Sequence, residues 1–200
     1  MDRFIILDNS VVELGESFNL QTYLTVEKEL KPDIVIAPDN FIEPEQNLSL
    51  LDNFLSEYQG ESMVMGVPHG ETLQQYLQNF EEFSQRVPAL GISIHKFAER
   101  FEVISTLQKE NLIDNQKYYH LLGCKLPQEF LKYSFKKEHS FLKSLDTSSP
   151  VIHGYFGIRY TDEGLERKSK FNIDYIFQRD INGQMYDISY NIKKFRDFIK

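Results

Sequence analysis

Six short apolar runs, each closed by polar residues, recur roughly every 25 to 30 residues along this chain of 200. They are FIILDNS (4–10), DIVIAPD (33–39), SMVMGVPHG (62–70), ALGISIH (89–95), YYHLLGC (118–124) and FLKSLDTSS (141–149). Short continuous runs are what strands covered on both faces of a parallel sheet require, and the spacing leaves room for one crossover helix between successive strands. The pattern therefore predicts an α/β chain built on a (β/α) repeat, a TIM-barrel-like architecture whose chemistry gathers at the carboxyl ends of its strands. Three of those ends carry an aspartate, namely Asp8, Asp39 and Asp146, and a fourth carries His69. In a sheet that closes toward a barrel, these residues converge on one mouth.

The intervening segments have helical spacing. Leu20, Tyr23, Leu24, Glu27 and Leu30 form one stripe, with Ser17 and Asn19 as cap candidates. Further helices are predicted over NLSLLDNFLSEYQG, over ETLQQYLQNFEEFSQRV with Leu73, Tyr76, Leu77, Phe80 and Phe83 on one face, and over KFAERFEVISTLQKENL. LPQEFLKYSFKK reads as another, with Pro127 in its first turn. No low-complexity linker interrupts the series, so residues 1–150 are expected to form the barrel-like core and 151–200 an extension packed on the same domain. That extension collects His153, Gly154, Gly157 and the basic residues Arg159, Arg167, Lys168 and Lys170. A polar strand pair is expected around the turn Asn182-Gly183, followed by NIKKFRDFIK as a short basic helix. A C-terminal helix with a solvated face accounts for these charges as well as a phosphate contact does.

A hydrophobic content of 41% with 14% aromatic residues is enough to build one sizeable core. The net charge of -8 argues against a general affinity for phosphate backbones, so any nucleic-acid contact needs a local basic patch. One cysteine, Cys124, leaves no internal disulfide and no multi-cysteine zinc site. No apolar run is long enough to span a membrane and the N-terminal run is too short for a signal peptide, so a soluble cytoplasmic protein without a membrane partner is expected.

An aspartate at a strand end either caps the following helix or does chemistry, and both readings stand for Asp8 and Asp39. Asp146 lies in Asp-Thr-Ser-Ser-Pro, either a capped turn or a carboxylate that neighbouring hydroxyls hold ionised, as a nucleophile requires. His69 sits between Pro68 and Gly70 in a tight turn where a ligand can approach the backbone.

Taken in order, these segments resemble the tRNA-guanine transglycosylase superfamily, most nearly its short phage-type and DNA-modifying relatives that handle 7-deazaguanine bases. Leu7-Asp8-Asn9-Ser10 stands where the family has Asp-Ser-Gly-Gly-Phe-Gln, and Asp33-Ile34-Val35-Ile36-Ala37-Pro38-Asp39 matches its base-recognising strand. Gly66-Val67-Pro68-His69-Gly70-Glu71 resembles Gly-Ile-Val-Gln-Gly-Gly, with His69 in place of the base-contacting glutamine. Leu90-Gly91-Ile92-Ser93 echoes Gly-Gly-Leu-Ser, Leu121 to Glu129 matches a Leu-Met-Gly segment, and Leu145-Asp146-Thr147-Ser148-Ser149-Pro150 corresponds to the nucleophile strand. The resemblance implies base exchange at an N-glycosidic bond to ribose or deoxyribose, or in a related N-glycosyl hydrolase the hydrolysis of that bond, without a cofactor. Asp146 would be the nucleophile and Asp8 the acid and base. Asp39 would read the donor edge of a guanine-like ring, with Ser10, His69, Gly70 and Gly91 completing the pocket. The partner is then a guanine-like base, a nucleotide or a nucleic acid, in the host cytoplasm if the chain is phage-encoded.

Two departures shape further expectations. The family's cysteine-rich zinc site is missing, so no structural metal is expected. Six strands also fall short of an eight-stranded barrel, which predicts a shortened or incomplete barrel, or one that a homodimer or a partner chain completes. Two other readings compete with the enzyme. One is a base-binding protein without turnover, such as a phage accessory factor or inhibitor. The other is a metal-dependent hydrolase using Asp8, Asp39, His69, His95, His120 and Asp146, which lacks any His-x-His or His-x3-His pair to place two ligands on one face.

Overall fold

The computed structural model describes residues 3–9, 19–40, 42–124, 127–165 and 184–199. Strands β1 (Ile6–Leu7), β2 (Ile34–Ile36), β3 (Met63–Gly66), β4 (Ala89–Ile92), β5 (Tyr118–Leu121) and β6 (Leu142–Leu145) follow one another in a single sheet in sequence order. Parallel pairing sets Ile6 beside Ile34, Val35 beside Val64 and Met65 beside Ala89. This is the sequential order of a (β/α) barrel carried through six strands, the shortened α/β architecture that the strand repeat predicts. Helices α1 (Leu20–Leu30), α2 (Asn47–Glu57), α3 (Leu73–Arg86) and α4 (Arg100–Lys109) fill the first four crossovers. The short α5 (Pro127–Phe130), then α6 (Ser149–Tyr155) and α7 (Met185–Phe198), complete the described helices, with one 3-10 turn at Pro44–Gln46 ahead of α2.

Contacts divide the chain into two compact units, 1–120 and 121–200. In the first, all three residues of β2 are buried, which explains their unbroken run of Ile-Val-Ile. Asn19 caps α1 by accepting from the amides of Gln21 and Thr22, and Thr72 caps α3 by accepting from Gln75. On α3, Tyr76, Phe80 and Phe83 recur at helical spacing and are buried, each worth about 1.5 to 3 kcal/mol of transfer free energy. Phe80 stacks on Tyr119 of β5 with the rings 4° from parallel. Glu27, in the α1 stripe, is buried because Tyr58 and Ser62 both donate hydroxyl hydrogens to its Oε1, at 2.9 and 2.8 Å. The sheet is curled within this unit. Phe4, just before β1, stacks on Tyr118 of β5 at 5.8 Å, whereas four flat strand spacings would separate those strands by about 19 Å.

In the second unit, α6 and α7 pack on each other around Asn191, which is fully buried. Its carbonyl accepts from the Tyr160 amide and its NH2 donates to the Ile158 carbonyl, at 2.8 Å each. Phe195 of α7 meets Phe130 edge-on at 4.7 Å. Two sequence expectations are corrected here. The helix predicted over LPQEFLKYSFKK is only four residues long, because the chain turns back on itself where Ser134 donates to His139 Nδ1 and accepts from the His139 amide. The C-terminal helix, expected at residues 191–200, begins at Met185. Its extra turns are held by Arg159, which ion-pairs with Asp187 and lies over the rings of Tyr186 and Tyr190. The turn at Asn182-Gly183 and the basic residues Arg167, Lys168 and Lys170 lie outside the described residues. No helix among the described residues is long and apolar enough to cross a membrane.

Candidate functional site

The carboxyl ends of β1, β2 and β3 bring three polar side chains together. Asp39 is 8% exposed, and each of its oxygens is engaged. Oδ2 lies 2.6 Å from His69 Nε2, and Oδ1 accepts from Asn9 Nδ2 at 2.5 Å. Asn9 also donates to the Ala37 carbonyl at 2.9 Å, tying the end of β1 to the chain beyond β2. Strand alternation explains why Asn9 and not its neighbour makes this contact. Asp8 and Asn9 face opposite ways, so Asn9 is 2% exposed while Asp8 is exposed and caps the Asn9 amide at 2.8 Å. Tyr23 reinforces the junction from behind, its hydroxyl within 2.9 Å of the carbonyls of Leu7 and Ile36. Burial lifts its phenol well above the usual range and keeps it a donor.

Each member is positioned by its own loop. The loop carrying Asp39 is clamped by the buried Asn47, whose amide accepts from Asn40 N at 2.5 Å and donates to Asn40 O at 2.9 Å. The loop carrying His69 is tied to α3 by Asn79, which donates to the His69 carbonyl at 2.7 Å. Gly70 lets this loop lie on the first turn of α3, where a Cβ would fall 2.6 Å from the Tyr76 amide nitrogen. Gly91 is buried inside β4. Ser10 lies outside the described residues.

An ionised carboxylate only accepts hydrogen bonds, so with Asp39 ionised the proton in this contact sits on His69 Nε2. The group thus orients an imidazole through a buried carboxylate whose two oxygens both accept.

Asp146 follows β6 in the second unit and is exposed. Two of the neighbouring hydroxyls bond elsewhere. Thr147 donates to the Cys124 carbonyl at 2.5 Å, and Ser149 takes part in a buried chain with Tyr160 and His153. A backbone donor serves Asp146, the Gly123 amide lying 2.8 Å from its Oδ1. Gly123 has a φ of 61°, a left-handed conformation that glycine adopts without strain. An amide hydrogen favours the ionised carboxylate as a hydroxyl would. His120 is buried on β5. Among the described residues no three metal-ligating side chains come together.

Asn9, Asn47, Asn79 and Tyr76 contribute to the site without having been singled out by the sequence. Asn9 alone had a legible signal, since it alternates in facing with Asp8 at the same strand end.

Near the end of β4, His95 packs edge-on against Tyr76 at 4.3 Å. Burial, with the charges of His69 and Arg100 adding to it, pushes the His95 imidazole down to about 4 from an ordinary 6.5. A histidine held below its unfolded value binds fewer protons when folded, so the unfolded state gains protons first as the pH falls. Its contribution to stability is complete above about pH 6.5, declines through the acid range and is gone below about pH 4, in all on the order of 3 kcal/mol at most. Urea unfolding at a series of pH values should show stability falling through this window. A His95→Gln variant should show a shallower fall, and an equal slope would remove His95 as the cause.

Comparison of the sequence with protein-family models gives no match, and comparison with curated proteins gives none.

Proposed function

We propose that the protein holds a guanine-like base at the carboxyl ends of its first four strands and exchanges that base at an N-glycosidic bond, as the resemblance to the tRNA-guanine transglycosylases implies. The observation that carries this reading is Asp39. It is a buried carboxylate, fixed by His69 and Asn9, at the strand end whose sequence matches the family's base-recognising segment. A buried, hydrogen-bond-accepting carboxylate is of the type that complements the adjacent N–H donors of guanine, and such bidentate recognition is worth roughly 1 to 3 kcal/mol of discrimination.

In the exchange, an Asp146 oxygen attacks the anomeric carbon as the bond to the base nitrogen breaks, and the electron pair leaves with the base. Asp8 supplies a proton to the departing base and recovers one from the incoming base, which then displaces Asp146. A second reading is base binding without turnover. It is favoured by the fact that Asp39, His69 and Asn9 all belong to residues 1–120, so the recognition group forms without Asp146.

Incubation of the full chain with guanine-containing DNA, tRNA or nucleotides and labelled guanine or 7-deazaguanine separates the readings. Incorporation of label supports exchange. Saturable binding without incorporation supports the second reading, and the absence of both overturns each.

A further inference from the structure

Charge is divided unevenly between the two compact units. Residues 1–120 hold 8 Lys and Arg against 20 Asp and Glu, a net charge of -12, whereas residues 121–200 hold 14 against 10, a net charge of +4. Each copy thus carries an acidic surface together with its electrostatic complement.

In the second unit the outward face of α7 has the make-up of a contact surface. Ile188, Asn191 and Phe195 are buried, so Tyr186, Tyr190 and Lys193, at helical spacing on the opposite side, face solvent. The Arg159 guanidinium lies over both rings, 4.8 Å from the centre of Tyr186 and 5.7 Å from that of Tyr190, and its ion pair with Asp187 holds it there. Tyrosine and arginine are among the residue types in which interface binding energy concentrates. The exposed Lys193 and Arg196 continue the face toward the end of the helix. Of the acids on α7, Asp187 is taken up by Arg159, and the charge of Asp197 acts on Lys194.

The first unit presents a matching projection. Ile42, in the loop after β2, is 69% exposed and is followed by the exposed acids Glu43 and Glu45. It and Tyr186, at 68%, are the most exposed large apolar side chains among the described residues, one on each unit. The loop is fixed in advance. Asn40 Oδ1 accepts from the amides of Ile42 and Glu43 at 2.9 and 3.1 Å, and Gln46 Nε2 donates to Glu43 Oε2 at 2.8 Å. A tip held in this way loses little entropy on docking.

We propose that the protein self-associates head to tail, the Ile42 loop of one copy seated on the Tyr186–Tyr190 face of the next, with Glu43 and Glu45 against Lys193 and Arg196. An apolar tip beside acids meets an aromatic face beside bases. Because the two surfaces are unlike, each added copy leaves one of each open, and the contact builds chains or closed rings. The net charge of -8 on every copy opposes association in other orientations. The assembly is independent of base exchange.

Sedimentation of the full chain over a range of concentrations should show a mass that rises beyond the dimer. Ile42→Ala and Tyr186→Ala should each weaken association roughly tenfold. Lys193→Glu and Glu45→Lys should each weaken it severalfold, since either sets like charges against each other. Mixed one to one, these last two variants should associate again, because the reversed face of one meets the reversed loop of the other, a recovery that misfolding of either could not produce. A wild-type chain that stays monomeric overturns the proposal. If that monomer instead retains single-stranded DNA and loses it on Tyr186→Ala, the face belongs to nucleic acid. Association that none of the four substitutions weakens, or a mixture no better than its components, overturns it as well.

Discussion

Asp39→Ala is expected to bind guanine roughly 10- to 100-fold more weakly than wild type, whereas Asp146→Ala should bind it normally and lose base exchange altogether. The two carboxylates are asked to do different things. On the proposed reading Asp39 meets the base in the ground state, so its removal takes away binding. On the same reading Asp146 acts only when the glycosidic bond is broken, so its removal leaves binding intact and stops the chemistry. Removing the Asp39 carboxylate also leaves the Asn9 amide and the His69 Nε2 hydrogen without their acceptor, a cost of about 1 to 3 kcal/mol for a buried donor. Asp39→Asn therefore provides a better-folded companion. It keeps the shape and one accepting oxygen, but its NH2 opposes the donors of guanine. Calorimetric titration and label incorporation on the three variants check the division of labour. Exchange that survives in Asp146→Ala would remove that residue as nucleophile, and wild-type affinity in Asp39→Asn would remove Asp39 as the reader of the base.

The strand ends were legible in the sequence because burial on both faces leaves a chemical trace. Ile34, Val35 and Ile36 have no polar residue among them, and none of the three has more than 3% of its surface exposed. The same logic located Asp39 and His69, each just past such a run. Their partnership was not legible. They are thirty residues apart, and whether they meet depends on the register that places Val35 beside Val64 and on the loops fixed by Asn47 and Asn79. Neither register nor a clamp of this kind has a local pattern. Asn9 carries no charge, and beside the exposed Asp8 only its inward facing marks it as Asp39's partner. Beyond β5 the periodic signal weakens. LPQEFLKYSFKK has helical spacing, but Ser134 and His139 bond each other's backbone, and that local alternative ends the helix after one turn.

Gly154→Ala should be the most damaging small substitution in the second unit, lowering stability by about 3 kcal/mol. Glycine stands where α6 crosses α7, and a Cβ there would fall 2.5 Å from both the amide nitrogen and the Cα of Ile188. Those are backbone atoms of a helix and cannot rotate aside as a side chain could. Ordinary contact begins near 3.4 Å, so the helices must part by most of an ångström. That movement also strains Asn191, the fully buried residue that pairs with the Tyr160 amide and the Ile158 carbonyl across the same contact. Alanine's better helix propensity returns about 1 kcal/mol at most, less than the repacking and the stretched hydrogen bonds cost. For a chain of this size the net change corresponds to a melting temperature lower by about 6 to 12 °C. Asn191→Ala, which unpairs the same buried amide and carbonyl without any steric push, should fall in the same direction by a smaller amount. Thermal unfolding of the two variants decides the point: a Gly154→Ala protein as stable as wild type would mean that α6 and α7 do not meet as closely as the glycine requires.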